Sequence, residues 1–207
     1  MNLNRNVYIS ILYVMLLVID QSIKLWVKTN MCLQESIHIT DWFYITFIEN
    51  NGMAYGMAFM PKYALSLFRF IASCALIWFI RKQIRLGART LWVVLLTLIA
   101  AGAAGNLIDC MFYGMVFTDS TLSMPAITVV WGDGYSSFLQ GRVVDMFYFP
   151  IIVTTYPEWF PVWGGQPFIF FSPIFNFADA CISVGVVTML IFCRKELSKY
   201  NAHHEKV

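Results

Sequence analysis

The chain has 207 residues, 59% of them hydrophobic and only 13% charged, with a formal net charge of +2. This balance excludes an ordinary soluble domain and points to one polytopic membrane domain spanning residues 1–207. So small a net charge identifies no partner, and no nucleic-acid partner is expected. Cys32, Cys74, Cys110, Cys181 and Cys193 are an odd set without metal-type spacing, so they read as small packing residues and not as a disulfide framework.

Residues 7–27 are expected to form a first membrane span that is retained, because Asp20, Lys24 and Trp26 follow the apolar run where a signal peptide would offer small residues for cleavage. Asp20 and Lys24 are four apart and share one helix face, which favours a structural ion pair over direct catalysis. Residues 28–62 carry the β-branched and aromatic runs Ile37-His38-Ile39 and Trp42-Phe43-Tyr44-Ile45-Thr46-Phe47-Ile48, then the turn-rich Glu49-Asn50-Asn51-Gly52-Met53-Ala54. These predict a small extracytoplasmic β-sheet.

The second span is expected over residues 63–80, with Arg69 as its one charge, and the third over residues 91–109. Between them, residues 81–89 form the densest basic loop, which assigns that loop to the cytoplasm. The small residues at 100–105 permit close helix approach, and Asn106 and Asp109 share a face. Residues 110–172 form a long extracytoplasmic connection in which Trp131, Trp159 and Trp163 fit interfacial anchoring. Ser172 and Pro173 have the character of an N-cap and a first helical residue, so the fourth span is expected over residues 173–193, closed by Arg194 and Lys195. The expected fold is therefore an all-α membrane bundle of four transmembrane helices plus the small sheet, with both termini cytoplasmic.

In that orientation Asp20, Lys24, Asn106, Asp109 and Asp179 converge on a shallow layer at the outer leaflet, and Asp145 lies in the connection beside it. A charge inside a lipid-spanning helix costs roughly 2.5–3.5 kcal/mol on insertion scales, so Asp179 needs a reason to be there. A helix cap or an interhelical hydrogen bond would be one. Catalysis would be another, with Asp145 and Asp179 sharing one proton as an acid–base dyad. The histidines lie elsewhere, at 38, 203 and 204, so neither a Ser/His/Asp set nor a zinc site is available, and no metal or cofactor is expected. From the residues alone, a proton- or ion-coupled transporter and an inactive scaffold stay open.

Asp20 with Lys24, Asn50-Asn51-Gly52-Met53-Ala54-Tyr55, Gly102-Ala103-Ala104-Gly105-Asn106-Leu107-Ile108-Asp109, Gly141-Arg142-Val143-Val144-Asp145 and Phe175-Asn176-Phe177-Ala178-Asp179 occur in that order from the first span to the last. At these residues the chain resembles bacterial lipoprotein signal peptidases, the type II signal peptidases. The resemblance implies a monomeric aspartyl endopeptidase of the bacterial cytoplasmic (inner) membrane, with membrane lipids around it and its site near the outer leaflet. Its substrate would be a lipid-modified prolipoprotein, cut before the diacylglyceryl-modified cysteine. It also implies Asp145 and Asp179 as the catalytic pair. Asn106, Asp109 and Asn176 would shape the site, Asn50, Gly52 and Ala54 would lie against substrate, and Asp20 and Lys24 would support it. Cys110 stands where this family usually has Arg, and Arg142 is the expected substitute. The connection is also longer than usual, and residues 118–138 are expected to act as an outer insertion that tunes access.

Overall fold

The protein is described here from a computed structural model covering residues 2–51 and 61–198. Gly52, Ala54 and the two histidines of the tail lie outside the described residues. Helix α1 runs Asn2–Asn30 and is followed by strands β1 (Ser36–Thr40) and β2 (Phe43–Asn50). Helices α2 (Lys62–Arg85) and α3 (Thr90–Ile108) come next, and α3 continues through a π-helical turn, Asp109–Tyr113, into a short turn, α4 (Gly114–Val116). Strand β3 (Val143–Tyr148), strands β4 (Ile152–Thr155) and β5 (Pro167–Phe170), and helix α5 (Phe177–Phe192) complete the chain. Among the described residues three helical stretches, Arg5–Asn30, Lys62–Arg85 and Thr90–Val116, are long and apolar enough to cross a membrane. The fourth, Phe177–Phe192, is apolar but shorter.

Strands β1, β2 and β3 form one antiparallel sheet in that order. The third strand was not foreseen within the long connection, although Val143, Val144, Phe147 and Tyr148 have the β-branched and aromatic character that strands favour. Phe175 then pairs with Phe147 as an antiparallel bridge, donating to its carbonyl at 3.1 Å and accepting its N–H at 2.7 Å. This pairing corrects the expected start of the last helix. It holds Phe175 extended, so α5 begins at Phe177 with Asn176 as N-cap, and neither Ser172 nor Pro173 opens it. Asp179 consequently lies in the first turn of α5, not deeper inside it.

Two apolar cores sit at opposite ends of the bundle. One packs Ile9, Ile80, Ile84, Trp92, Leu96 and Met189 from four helices. At this end the Arg5 guanidinium bonds the carbonyl of Ala88, and Arg89 donates to the carbonyl of Phe192 at 3.1 Å, so the basic positions gather here. The other core packs Val27 of α1 and Met31 just after it against Phe47, Val144 and Met146 of the sheet and Tyr113 and Phe117 beyond α3. Small residues bring α3 against α5 and α1: a Cβ at Gly102 would run into the carbonyl oxygen of Ala178, and one at Gly105 would lie 2.5 Å from Asp20 Oδ2. Gly102→Val is therefore expected to force α5 off α3 and destabilise the protein by about 1–3 kcal/mol, read as a lowered thermal midpoint in detergent.

Candidate active site

Between the two cores lies a polar layer built around Lys24, whose side chain is fully buried. Its ammonium has three N–H donors and meets three acceptors: Asp20 Oδ2 at 3.0 Å, Asp109 Oδ2 at 2.8 Å and Asn106 Oδ1 at 2.8 Å. The i,i+4 pair expected on α1 thus exists, and Asp109 adds the second carboxylate from the end of α3. Asp20 uses its other oxygen to accept the Ala178 N–H at 3.0 Å, which satisfies one of the orphan donors in the first turn of α5. Gln21, missed in the sequence although it adjoins Asp20, donates to Asp20, Asp109 and the carbonyl of Gly105 and accepts from Tyr113.

Asn106 carries this network on to the start of α5. Its carbonyl oxygen accepts from Lys24 and, at 2.9 Å, from Asn176 Nδ2, while its own amide donates to Asp179 Oδ1 at 2.8 Å. Asn176 is the N-cap of α5: its Oδ1 accepts the Asp179 N–H at 2.9 Å, and Asp179 Oδ2 accepts the Asn176 N–H at 3.3 Å, a reciprocal capping box. The remaining donor capacity of Asn176 Nδ2 goes to Asp145 Oδ1 at 2.6 Å. One asparagine therefore touches both carboxylates. Asp145 arrives from the sheet, where it sits opposite Ile48; Asn50, two residues on along β2 and on the same face, reaches it diagonally and donates to Oδ2 at 3.2 Å.

Asp145 is buried, and Asp179 is half-buried. Burial in the first place, and the charge of Asp179 in the second, raise the Asp145 carboxyl from the ordinary 3.8 to about 7, against the pull of the Asn50 and Asn176 donors. Among the described residues no group of three or more His, Cys, Asp or Glu could hold a metal ion.

Arg142 does not stand in for the family's arginine. Its guanidinium pairs with Glu49 Oε2 at 2.8 Å and Asp119 Oδ1 at 3.0 Å and covers the Tyr135 ring, so it is committed elsewhere. Lys28 meets the same Glu49, with Ser120 donating to that carboxylate at 2.8 Å. Burial opposes ionising Glu49, yet Lys28, Arg142 and Ser120 together hold its carboxyl below the usual range. A signal for Lys28 was present, since it lies one helical turn beyond Lys24 on the same face of α1. At the position of the expected arginine, the Cys110 thiol accepts from Arg69 Nη1 at 3.3 Å, so a guanidinium does approach that place, from α2.

Apolar helices under a small sheet, with two carboxylates held on one amide where sheet and helices meet, describe a membrane-embedded enzyme. Two solved bacterial membrane enzymes share the fold. One has a TM-score of 0.58 at 22% identity, covering 93% of this chain and 90% of that one, and the other the same TM-score at 24% identity over 89% and 90%. The family described as signal peptidase (SPase) II matches residues 12–194. A lipoprotein signal peptidase of Porphyromonas gingivalis is 47% identical over 184 residues, spanning 88% of this chain and 81% of the relative. One from Amoebophilus asiaticus is 32% identical over 88% of this chain and 75% of its own length. The chain belongs to the signal peptidase II family.

Lys24→Met, which keeps the bulk but removes the charge, leaves Asp20 and Asp109 buried without a cation. It is expected to cost about 3–5 kcal/mol of stability, measured by denaturation in detergent, together with loss of cleavage.

Proposed function

We propose that the chain removes signal peptides from prolipoproteins as an aspartyl endopeptidase, cutting before a diacylglyceryl-modified cysteine. The observation that carries this reading is Asn176, which bonds both Asp145 and Asp179. Asp145, buried and raised to about 7, holds the shared proton at rest. Asp179, at the N-terminus of α5 where the helix dipole favours an anion, takes a proton from water. Water oxygen then bonds the scissile carbonyl carbon while Asp145 protonates the carbonyl oxygen. In the second half the peptide nitrogen takes the proton from Asp179, the C–N bond breaks, and Asp145 recovers its proton from the hydroxyl that becomes the new carboxyl group.

The reading places α1, α2, α3 and α5 as four spans, with both termini cytoplasmic and the dyad near the outer leaflet, in a protein that works as a monomer. Its support is the basic character of residues 81–89 and 194–195 and the gathering of Arg5 and Arg89 at the end of the bundle away from the dyad. A substrate anchored by acyl chains in the outer leaflet would be confined to the layer of the dyad, each buried CH2 adding about 0.8 kcal/mol to its residence. Orientation by the lipid leaves modest demands on peptide sequence. Asn106 and Asp109 hold the pair in place, and Gly52 and Ala54, outside the described residues, are assigned to substrate contact with Asn50 by the family resemblance alone.

Asp145→Asn and Asp179→Asn are each expected to lower cleavage of a lipid-modified precursor by purified protein about 10²–10⁴-fold, with the fold intact by circular dichroism. A variant pair that cleaves at the parent rate overturns the reading. With Asp145 holding the proton, activity falls as pH rises through about 7. Asn50 donates to the ionised form, so Asn50→Ala is expected to move that limb of the pH–rate profile to higher pH.

The same group gives a stability signature. Its folded pKa exceeds the unfolded one, so the folded state holds a proton that the unfolded chain releases between 3.8 and about 7. This contribution is full below 3.8 and is lost as pH rises to about 7. Asp145→Asn is expected to flatten that decline in thermal midpoints measured from acid to neutral pH.

A further inference from the structure

The segment joining β3 to α5 contains a second, two-stranded sheet. Strands β4 and β5 pair antiparallel, Ile152 with Phe170 and Thr155 with Pro167, closed at the far end by Tyr156 and Gln166. An isolated two-stranded hairpin is marginal in water. Among the described residues β4 and β5 pack chiefly on each other. The hairpin has a small aromatic centre of Tyr156, Phe160, Trp163 and Phe168, with Tyr156 ring centroids 5.3 Å from Phe160 and 5.1 Å from Phe168. Outside that centre it presents Ile152, Val153, Trp159 and Val162, with Trp159 80% and Val162 83% exposed. Because side chains alternate along a strand, Ile152 and Val153 put apolar surface on both faces. Residues 150–171 contain a single charged residue, Glu158. Such a surface is not one that water alone supports.

The height of this hairpin follows from the length of α5. Sixteen residues from Phe177 to Phe192 measure about 24 Å, against a hydrocarbon core of about 30 Å, and Arg194 and Lys195 mark the inner boundary. Roughly 6 Å of apolar thickness therefore lies beyond Phe177 on the outer side, and any tilt of α5 increases it. The hairpin rejoins the chain at Phe171, six residues before Phe177, with its base fastened by the Ile151 N–H to the Phe170 carbonyl at 3.2 Å. Its base thus stands at the headgroup level. Its open strand edges keep it out of the hydrocarbon, where unpaired backbone groups find no partner.

We propose that the β4–β5 hairpin is a membrane-binding fin that lies in the interfacial layer of the outer leaflet, its tip at Trp159 and Val162 seated among lipid headgroups and upper acyl chains. The inference rests on the reading that α5 crosses the bilayer. The fin springs from the strand that carries Asp145 and returns into the helix that carries Asp179, with Phe171 and Phe175 stacked edge to face at 5.9 Å at its root. It forms a lipid-side wall beside the dyad, where a substrate held by acyl chains must pass.

The test places a nitroxide at the tip through Val162→Cys in the Cys32→Ser, Cys74→Ser background, in which the remaining cysteines are buried. A second protein carries the label at Leu190→Cys on the exposed face of α5. Both are reconstituted in phosphatidylcholine and phosphatidylglycerol nanodiscs, and collision with oxygen is compared with collision with a water-soluble nickel chelate. The fin predicts that the Val162 label favours oxygen over nickel, at a depth shallower than the Leu190 label. Nickel access at Val162 with a lipid-buried Leu190 label overturns the fin and leaves the spanning reading standing. A Val162 label shielded from both reagents also overturns it, since protein and not lipid would then cover the tip. Aqueous readings at both sites defeat the spanning reading itself. As a second measurement, Trp159→Ser with Val162→Ser is expected to lose cleavage of precursor in nanodiscs while retaining it in detergent micelles. Equal activity of variant and parent in both settings removes the fin's role beside the dyad.

Discussion

A lysine ammonium buried at the level of an apolar bundle survives only where every one of its protons has an acceptor, and Lys24 sets that condition for the half of the molecule that carries the sheet. Its three partners come from α1 and from the end of α3, and one of them, Asp20, also caps the first turn of α5. Three helices are therefore tied through one cation. Two carboxylates face one ammonium, and the Gln21 amide donates to both. Such a network is costly when incomplete and rigid when complete, and here the partners of Lys24, Asp20 and Asp109 complete one another.

The candidate dyad is suspended from this network by amides that serve two purposes. Asn176 ends the extended segment paired with β3, starts α5, and donates to Asp145; Asn106 accepts from Lys24 and donates to Asp179. Each carboxylate is therefore oriented by groups whose own rotamers are fixed by helix capping or by the buried ion cluster. Preorganisation of this kind lets polar groups act in a poorly solvated site without reorganising during reaction. The same economy explains why α5 starts late. The pairing of Phe175 with Phe147 brings sheet and helix together at the one place where the two aspartates can meet.

Beside the sheet, residues of the long connection are part of the packed structure. The Thr121 carbonyl accepts from Leu33 at 2.8 Å, Ala126 donates to the carbonyl of Lys28 at 3.2 Å, and Asp119 and Ser120 enter the cluster of Lys28, Glu49 and Arg142. Residues 118–138 thus brace the strand that ends at Asn50, and an insertion expected to tune access also holds the scaffold. That cluster is also why Arg142 is unavailable to the dyad.

Much of this could be read along the chain. Apolar runs marked the helices, the four-residue step from Asp20 to Lys24 put an ion pair on one face, and the small residues before Asn106 marked a close helix contact, because these signals are local and set by helical period. The two aspartates could be singled out as charges in apolar surroundings, but not joined. Their meeting depends on β3 pairing with both β2 and Phe175, a choice among distant partners made by the whole folded ensemble, and it is this that overrode the local start signal of Ser172 and Pro173. Arg142 and Gln21 show the same division: residue type advertised a polar role, whereas the partner of each was settled by which groups folding had already brought within hydrogen-bond reach.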